Sequence, residues 1–274
     1  YIQSGDVLNQ GCEFTLGFNK DWNKFNWSST YTFSTNMNRI ESLAENVLNA
    51  ATGEYFSVDL LDMNGLGLAH FLLMEGGTLG DLYSLADYKY DSNGMIVVNE
   101  DGTITPQTIT DAKNYVKLGS VLPKANMSWR NDFRIGDFNF GFLITARLGG
   151  IVYSSTQAVL DYYGVSEASA AARDAGGVFI NGGDCIDANK WFSSVGGSNP
   201  LPQEYTYSGT NVRLQEASIG YTIPRKKLGD VCDLHLSLVG RNLWMIYNKA
   251  PFDPEAVATT GNYYQGIDHF MMPS

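Results

Sequence analysis

From Phe25 to Met37 the chain alternates with a period of two. Phe25, Trp27, Ser29, Tyr31, Phe33, Thr35 and Met37 hold one phase; Asn26, Ser28, Thr30, Thr32, Ser34 and Asn36 hold the other. Successive strand side chains point to opposite faces, so this run predicts a strand with one largely aromatic face and one small, polar face. The pattern returns at Cys12, Phe14, Leu16 and Phe18, then at Ala125, Met127, Trp129 and Phe133. It returns again from Phe138 to Leu148, and at Leu234, Leu236 and Leu238 opposed by His235 and Ser237. Val212 and Leu214 keep one phase, whereas Ala217, Ile219, Tyr221 and Ile223 keep the opposite one. That slip predicts a β-bulge at Glu216. Several runs reach about ten to thirteen residues, whereas globular strands average about 5–6 and a tilted membrane-crossing strand needs about 9–11. Length therefore favours strands that separate two solvents.

The connections are lopsided. Gly136-Asp137, the residues 21–24 and the residues 224–233 join strands closely, while 41–123, 154–211 and 248 onward are long. Short turns at one end and long loops at the other are the arrangement of an outer-membrane barrel, with the short turns periplasmic and the long loops outside. Within the loops, Ser166 predicts the cap of a short Ala-rich helix from Glu167 to Asp174, stopped by Gly176-Gly177. Asn93-Gly94, between Tyr88–Tyr90 and Ile96–Val98, predicts a hairpin with a type I′ turn.

Composition supports this picture. Only 17% of the 274 residues are charged, with sixteen Tyr and fourteen Phe, against about 25% charged in an ordinary soluble domain. The net charge of −11 and the lack of a long basic run disfavour a nucleic-acid partner. Cys12, Cys185 and Cys232 lie far apart with no CxxC, and are expected to be isolated, buried or half-buried thiols rather than zinc or redox groups. The histidines at 70, 235 and 269 share no metal-binding spacing, and no GxSxG, P-loop or GxGxxG occurs. No catalytic, cofactor or metal residue is assigned, and no enzyme activity is expected. Asp91, Asn93, Glu100 and Asp101 faintly resemble a calcium loop, but their spacing is not that of an EF-hand and a hairpin turn is the simpler reading. Aromatic pairs in the loops, Trp191 with Phe192, Tyr205 with Tyr207 and Tyr263 with Tyr264, are candidate ligand contacts. Flat rings can stack on a sugar face or cover an apolar side chain, though packing among the loops is the more ordinary role.

Three stretches resemble the SusC/RagA family of TonB-dependent outer-membrane transporters. The first joins Leu118-Gly-Ser-Val-Leu-Pro-Lys124 to Arg147-Leu-Gly-Gly-Ile-Val-Tyr153. The second runs from Thr210 to Pro224, preceded by Ala172-Arg-Asp-Ala-Gly-Gly-Val178. The third is Gly240-Arg-Asn-Leu-Trp244 followed by Lys249-Ala-Pro-Phe-Asp-Pro-Glu255 and Gln265-Gly-Ile267.

The resemblance implies an all-β fold: an antiparallel transmembrane β-barrel portion, about 8–10 strands of a 22-stranded barrel, with long extracellular loops. Residues 1–274 would be the C-terminal part of one barrel domain, with the plug, the first half of the barrel and the last strand lying elsewhere. It further implies a Gram-negative, Bacteroidetes-type outer-membrane importer of oligosaccharides or peptides. Such an importer works with a SusD-like surface lipoprotein and is energised by TonB–ExbB–ExbD through the plug, without a cofactor. Arg213, Arg241 and Asp253 are expected to face the lumen in structural roles, with Glu216 or Asp253 neutralising the arginines. Rival readings are a non-transporting receptor or adhesin barrel and a soluble all-β carbohydrate-binding domain.

Overall fold

In the computed structural model of the chain, which describes residues 5–49, 51–255 and 266–268, the alternating runs form one antiparallel sheet. Its six strands are β1 (Asp6–Trp22), β2 (Phe25–Ser42), β3 (Ala125–Ile135), β4 (Phe138–Leu148), β5 (Asn211–Ile223) and β6 (Leu234–Asn248), neighbours in sheet and sequence alike. Even the 11-residue β3 and β4 extend about 36 Å at about 3.3 Å per residue, which at a tilt of ~45° spans a height of ~25 Å, the apolar band of a barrel.

The register aligns the apolar phases of all six strands. One row runs Leu16, Tyr31, Trp129, Ile144, Leu214 and Trp244, and another runs Phe138, Tyr221 and Leu236. Two polar residues in the middle of this face, Asn131 and Ser29, each meet an indole. The indole N–H of Trp27 donates to Asn131 Oδ1 at 3.0 Å, and that of Trp129 donates to Ser29 Oγ at 3.0 Å. An unpaired polar atom in apolar surroundings is costly, and the two indoles both fill the face and satisfy Asn131 Oδ1 and Ser29 Oγ, whereas Asn131 Nδ2 stays buried without a partner. The predicted slip on β5 is present: pairing to both neighbours steps from Glu216 to Leu214, leaving Gln215 extra.

The hydrophobic core lies elsewhere. Its fully buried members, among them Phe71, Leu82, Tyr153, Trp191, Leu201 and Tyr205, all come from the long connections and none from the six strands. These connections sit at one end of the sheet. Residues 43–124 fold into small sheets, chiefly Leu60–Leu66, Ala69–Met74, Asp81–Ser84 and Val116–Ser120. Residues 149–210 contribute α1 (Ser155–Tyr162), α2 (Glu167–Asp174) and α3 (Ala188–Val195).

The long sheet thus has six strands among the described residues, fewer than the eight to ten expected. The segment 43–124 lacks a two-faced run long enough to cross and spends its apolar residues on the loop core instead. Cys12, Cys185 and Cys232 are free but exposed, correcting the expectation of buried or half-buried thiols.

Helix α2 has the predicted bounds, with Ser166 Oγ accepting from Ser169 N at 2.9 Å. Gly176 N donates to Arg173 O and Gly177 N to Ala172 O, the paired bonds of a Schellman stop. Replacing Ser166 with Ala is expected to cost about 1 kcal/mol locally, read as roughly fivefold faster amide exchange over 167–174. The hairpin at Asn93-Gly94 forms, but not with a type I′ turn: only Gly94 has positive φ, at 79°. Asp91 sets a longer turn by accepting from both Asn93 N and Met95 N, and these bonds hold its carboxyl below the usual range, Met95 most strongly.

Candidate functional site

Two regions gather polar chemistry: the polar face of the sheet and the loop assembly above it. On the polar face one register row carries Arg130, Leu143, Glu216 and Arg241 across β3 to β6. Glu216 lies between the two arginines, 3.7 Å from Arg130 and 3.2 Å from Arg241, and Arg130 also pairs with Asp132 at 2.9 Å. The charges meet over β4 because Gly141 leaves room. A Cβ there would lie 2.8 Å from both Asp132 Oδ1 and Ser218 Oγ. The pairs are largely exposed, so each contributes little stability; together they fix the orientation of a charged strip.

At the loop end of β5, Arg213 is 6% exposed. Its Nη1 and Nη2 donate to the two carboxylate oxygens of Asp253 at 3.1 and 2.7 Å, and Nη2 lies 3.2 Å from Glu255. Nε donates to Asn211 Oδ1, whose Nδ2 reaches Glu255. Asn248 donates to the carbonyls of Ala250 and Phe252. The residues around Pro251 and Pro254 are thereby folded back over the ends of β5 and β6. Arg213 takes Asp253 and Arg241 takes Glu216, one arginine to each of the two acids considered from the sequence.

The two halves of the first sequence motif also meet here. Arg147 Nη2 donates to Val121 O at 2.7 Å, Lys124 N donates to Leu148 O, and Thr35 Oγ1 donates to Lys124 O. The motif joins the loop assembly to the long sheet.

The loop aromatics fall into three situations. Trp191, on α3, is 5% exposed and Tyr205 is 1% exposed, both within the loop core, with Phe192 packed against it. Tyr88 stacks on Trp191 at 6.1 Å and its hydroxyl donates to Glu204. Burial first and Glu204 second push that hydroxyl above its ordinary range. Tyr207 is half-buried and meets Phe252 edge-on at 5.6 Å, beside the Arg213 cluster. Tyr263 and Tyr264 lie outside the described residues.

The arrangement brings Trp191, Phe192 and Tyr205 into one packed body. A shallow polar hollow of about 370 Å³ opens beside it, lined by Asp87, Tyr88, Gln107, Thr110, Asp111 and Asn114. Sequence reading missed this hollow, because its residues come from separated loop segments with no motif among them. Among the described residues no cluster of His, Cys, Asp and Glu is placed to hold a metal ion.

No family model matches the chain. Two curated proteins of Formosa agariphila, TonB-dependent receptor P3 and TonB-dependent receptor P26, align with it at 24% identity over 299 and 290 residues, covering 98% of this chain. Among solved structures, the RagAB peptide transporter superposes with a TM-score of 0.62 at 15% identity, covering 96% of this chain. The RagAB peptide importer in its closed-closed state superposes with a TM-score of 0.60 at 16% identity. The chain spans 28% of the length of each of these proteins. These likenesses bear out the resemblance to SusC/RagA-type TonB-dependent receptors and the all-β antiparallel fold. The relatives are named as receptors and transporters rather than enzymes.

Proposed function

We propose that this chain forms part of the wall and outer mouth of an outer-membrane importer of bulky nutrients, of the oligosaccharide or peptide class, and that the whole protein is driven through TonB and works with a SusD-like surface lipoprotein. In this reading residues 1–274 belong to a single barrel domain, the aromatic face of the sheet meets lipid and the polar face lines the lumen. Arg213, Arg241 and Asp253 then act as structural groups of the lumen wall, and the half-buried Tyr207 is the described aromatic best placed to meet a ligand. The observation that carries the proposal is the largely apolar, aromatic-rich face across six long strands, which no layer of the protein covers among the described residues. Such a face is costly in water and favourable in a bilayer.

The test uses the full-length protein. It is expected to require detergent, to shift in gel mobility on heating, and to support uptake of a labelled oligosaccharide or peptide library that stops when TonB is deleted. An intact protein that stays in the aqueous fraction refutes the membrane reading. Folding without TonB-dependent uptake of any class leaves a receptor or adhesin barrel in its place.

A further inference from the structure

At the turn end of the sheet, the apolar face is edged by aromatic rings that carry lysines. On β1, Lys20 shares the phase of Phe18 and Trp22, lies opposite Trp27, and holds its ammonium 5.9 Å from the centre of the Trp22 ring. Four strands away, Lys227, in the turn between β5 and β6, holds its ammonium 5.6 Å from the Tyr221 ring and donates to the Tyr221 hydroxyl at 3.0 Å. Between them the same edge carries Trp22 stacked on Phe25 and Phe138 against Tyr221.

The local acids are turned away or already shared. Asp21, on the opposite phase, accepts from Asn26, and Asp137 reaches Lys227 at 3.2 Å, its only carboxylate contact among the described residues. None of the ion pairs among the described residues includes Lys20 or the neighbouring Lys226.

A lysine stem laid on an aromatic edge places its ammonium at the boundary between hydrocarbon and water. An ammonium there that has no carboxylate, as with Lys20, or shares one exposed carboxylate, as Lys227 does with Asp137, is open to whatever anion the boundary supplies, and in a bilayer that anion is a phosphate.

We infer that the Lys20 and Lys227 edges of this face bind the phosphate head groups of anionic phospholipid in the leaflet at the turn end of the barrel. This inference rests on the barrel reading above. Charge complementarity and continuity with the lipid-facing surface select phospholipid as the occupant.

The experiment places the full-length protein in nanodiscs containing equal amounts of phosphatidylglycerol and phosphatidylcholine of one chain length, and counts retained lipids by native mass spectrometry. The wild type is expected to retain phosphatidylglycerol selectively, and each lysine neutralised is expected to lower that selectivity roughly fivefold, the worth of about 1 kcal/mol per basic residue at a membrane surface. Lys20→Gln with Lys227→Gln is the main variant. Lys20→Gln alone, which leaves the Lys227–Asp137 pair intact, serves if the double variant does not fold. A wild type without selectivity, or variants that keep it unchanged, overturns the inference while leaving the barrel reading in place. Preferential retention of lipopolysaccharide through the same lysines also overturns it. Failure to enter nanodiscs at all counts against the barrel reading instead.

Discussion

Replacing Trp191 with Ala in the full-length protein is expected to destabilise the loop assembly by about 3–5 kcal/mol, the usual cost of deleting a buried large aromatic. The side chain is 5% exposed, stacks on Tyr88 and belongs to a core drawn wholly from the connections. Its loss opens a cavity between α3, the Tyr88 segment and Leu201–Tyr205, and Tyr88 loses the surface that holds its hydroxyl on Glu204. Because the core contains no residue of β1 to β6, the damage should stay local. Limited proteolysis is expected to cut residues 69–111 and 188–205 much faster, and their amide exchange to rise, while the heat-dependent gel shift of the barrel is retained. Trp191→Phe, which keeps most of the volume, should cost less than half as much. Loss of the gel shift in Trp191→Ala, with the loops no more open than before, would show that wall and loops fold as one unit and refute the separation of cores described above.

That separation also explains what the sequence disclosed and what it hid. The long sheet was legible because a strand with two unlike faces writes its fold into every second residue: Phe33 against Ser34, Phe142 against Gly141, Leu236 against His235. Even the bulge at Gln215 showed as a change of phase. Short-range chemistry was legible too, as with Ser166, whose cap and Schellman stop lie within twelve residues of each other. The Asn93-Gly94 hairpin was found but its turn was mistaken, since Asp91 outbids the two-residue preference through two backbone N–H groups. The loop core left no such trace. Phe71, Ile104, Tyr153, Trp191 and Tyr205 are brought together by long-range packing of short elements, and short apolar runs have no period to read. For the same reason the loop aromatics stand out in the sequence as candidate contacts although Trp191 and Tyr205 are buried, and the polar hollow beside Tyr88 does not stand out at all. The Arg213–Asp253 pair lay between these cases: its partners were nameable from motifs, while the bidentate geometry and the added Glu255 were not.

The sharpest test of the two-solvent wall is a pair of arginines placed on opposite faces at nearly the same height. Phe142 lies on the apolar face of β4 near the middle of the strand, edge-on to Trp129 at 5.6 Å and near Phe133 at 6.3 Å. Phe142→Arg puts a guanidinium where the proposed bilayer is thickest, and is expected to cost about 2–4 kcal/mol from the charge alone, depending on depth. The lost aromatic contacts add to that. Ser28, one row away on the polar face of β2, pairs in register with Asp132 of β3. Ser28→Arg therefore adds a cation beside an anion in what the proposal makes a water-filled lumen, and is expected to change stability by less than about 1 kcal/mol. Refolding of the full-length protein from urea into liposomes, followed by the fraction that resists heat-dependent unfolding on a gel, measures both. The expected result is a large shift of the midpoint for Phe142→Arg and a small one for Ser28→Arg. Equal sensitivity at the two positions would mean that both faces meet the same medium, and the assignment of one to lipid and the other to the lumen would fall. A reversed order would exchange the two faces, placing the aromatic rows inside.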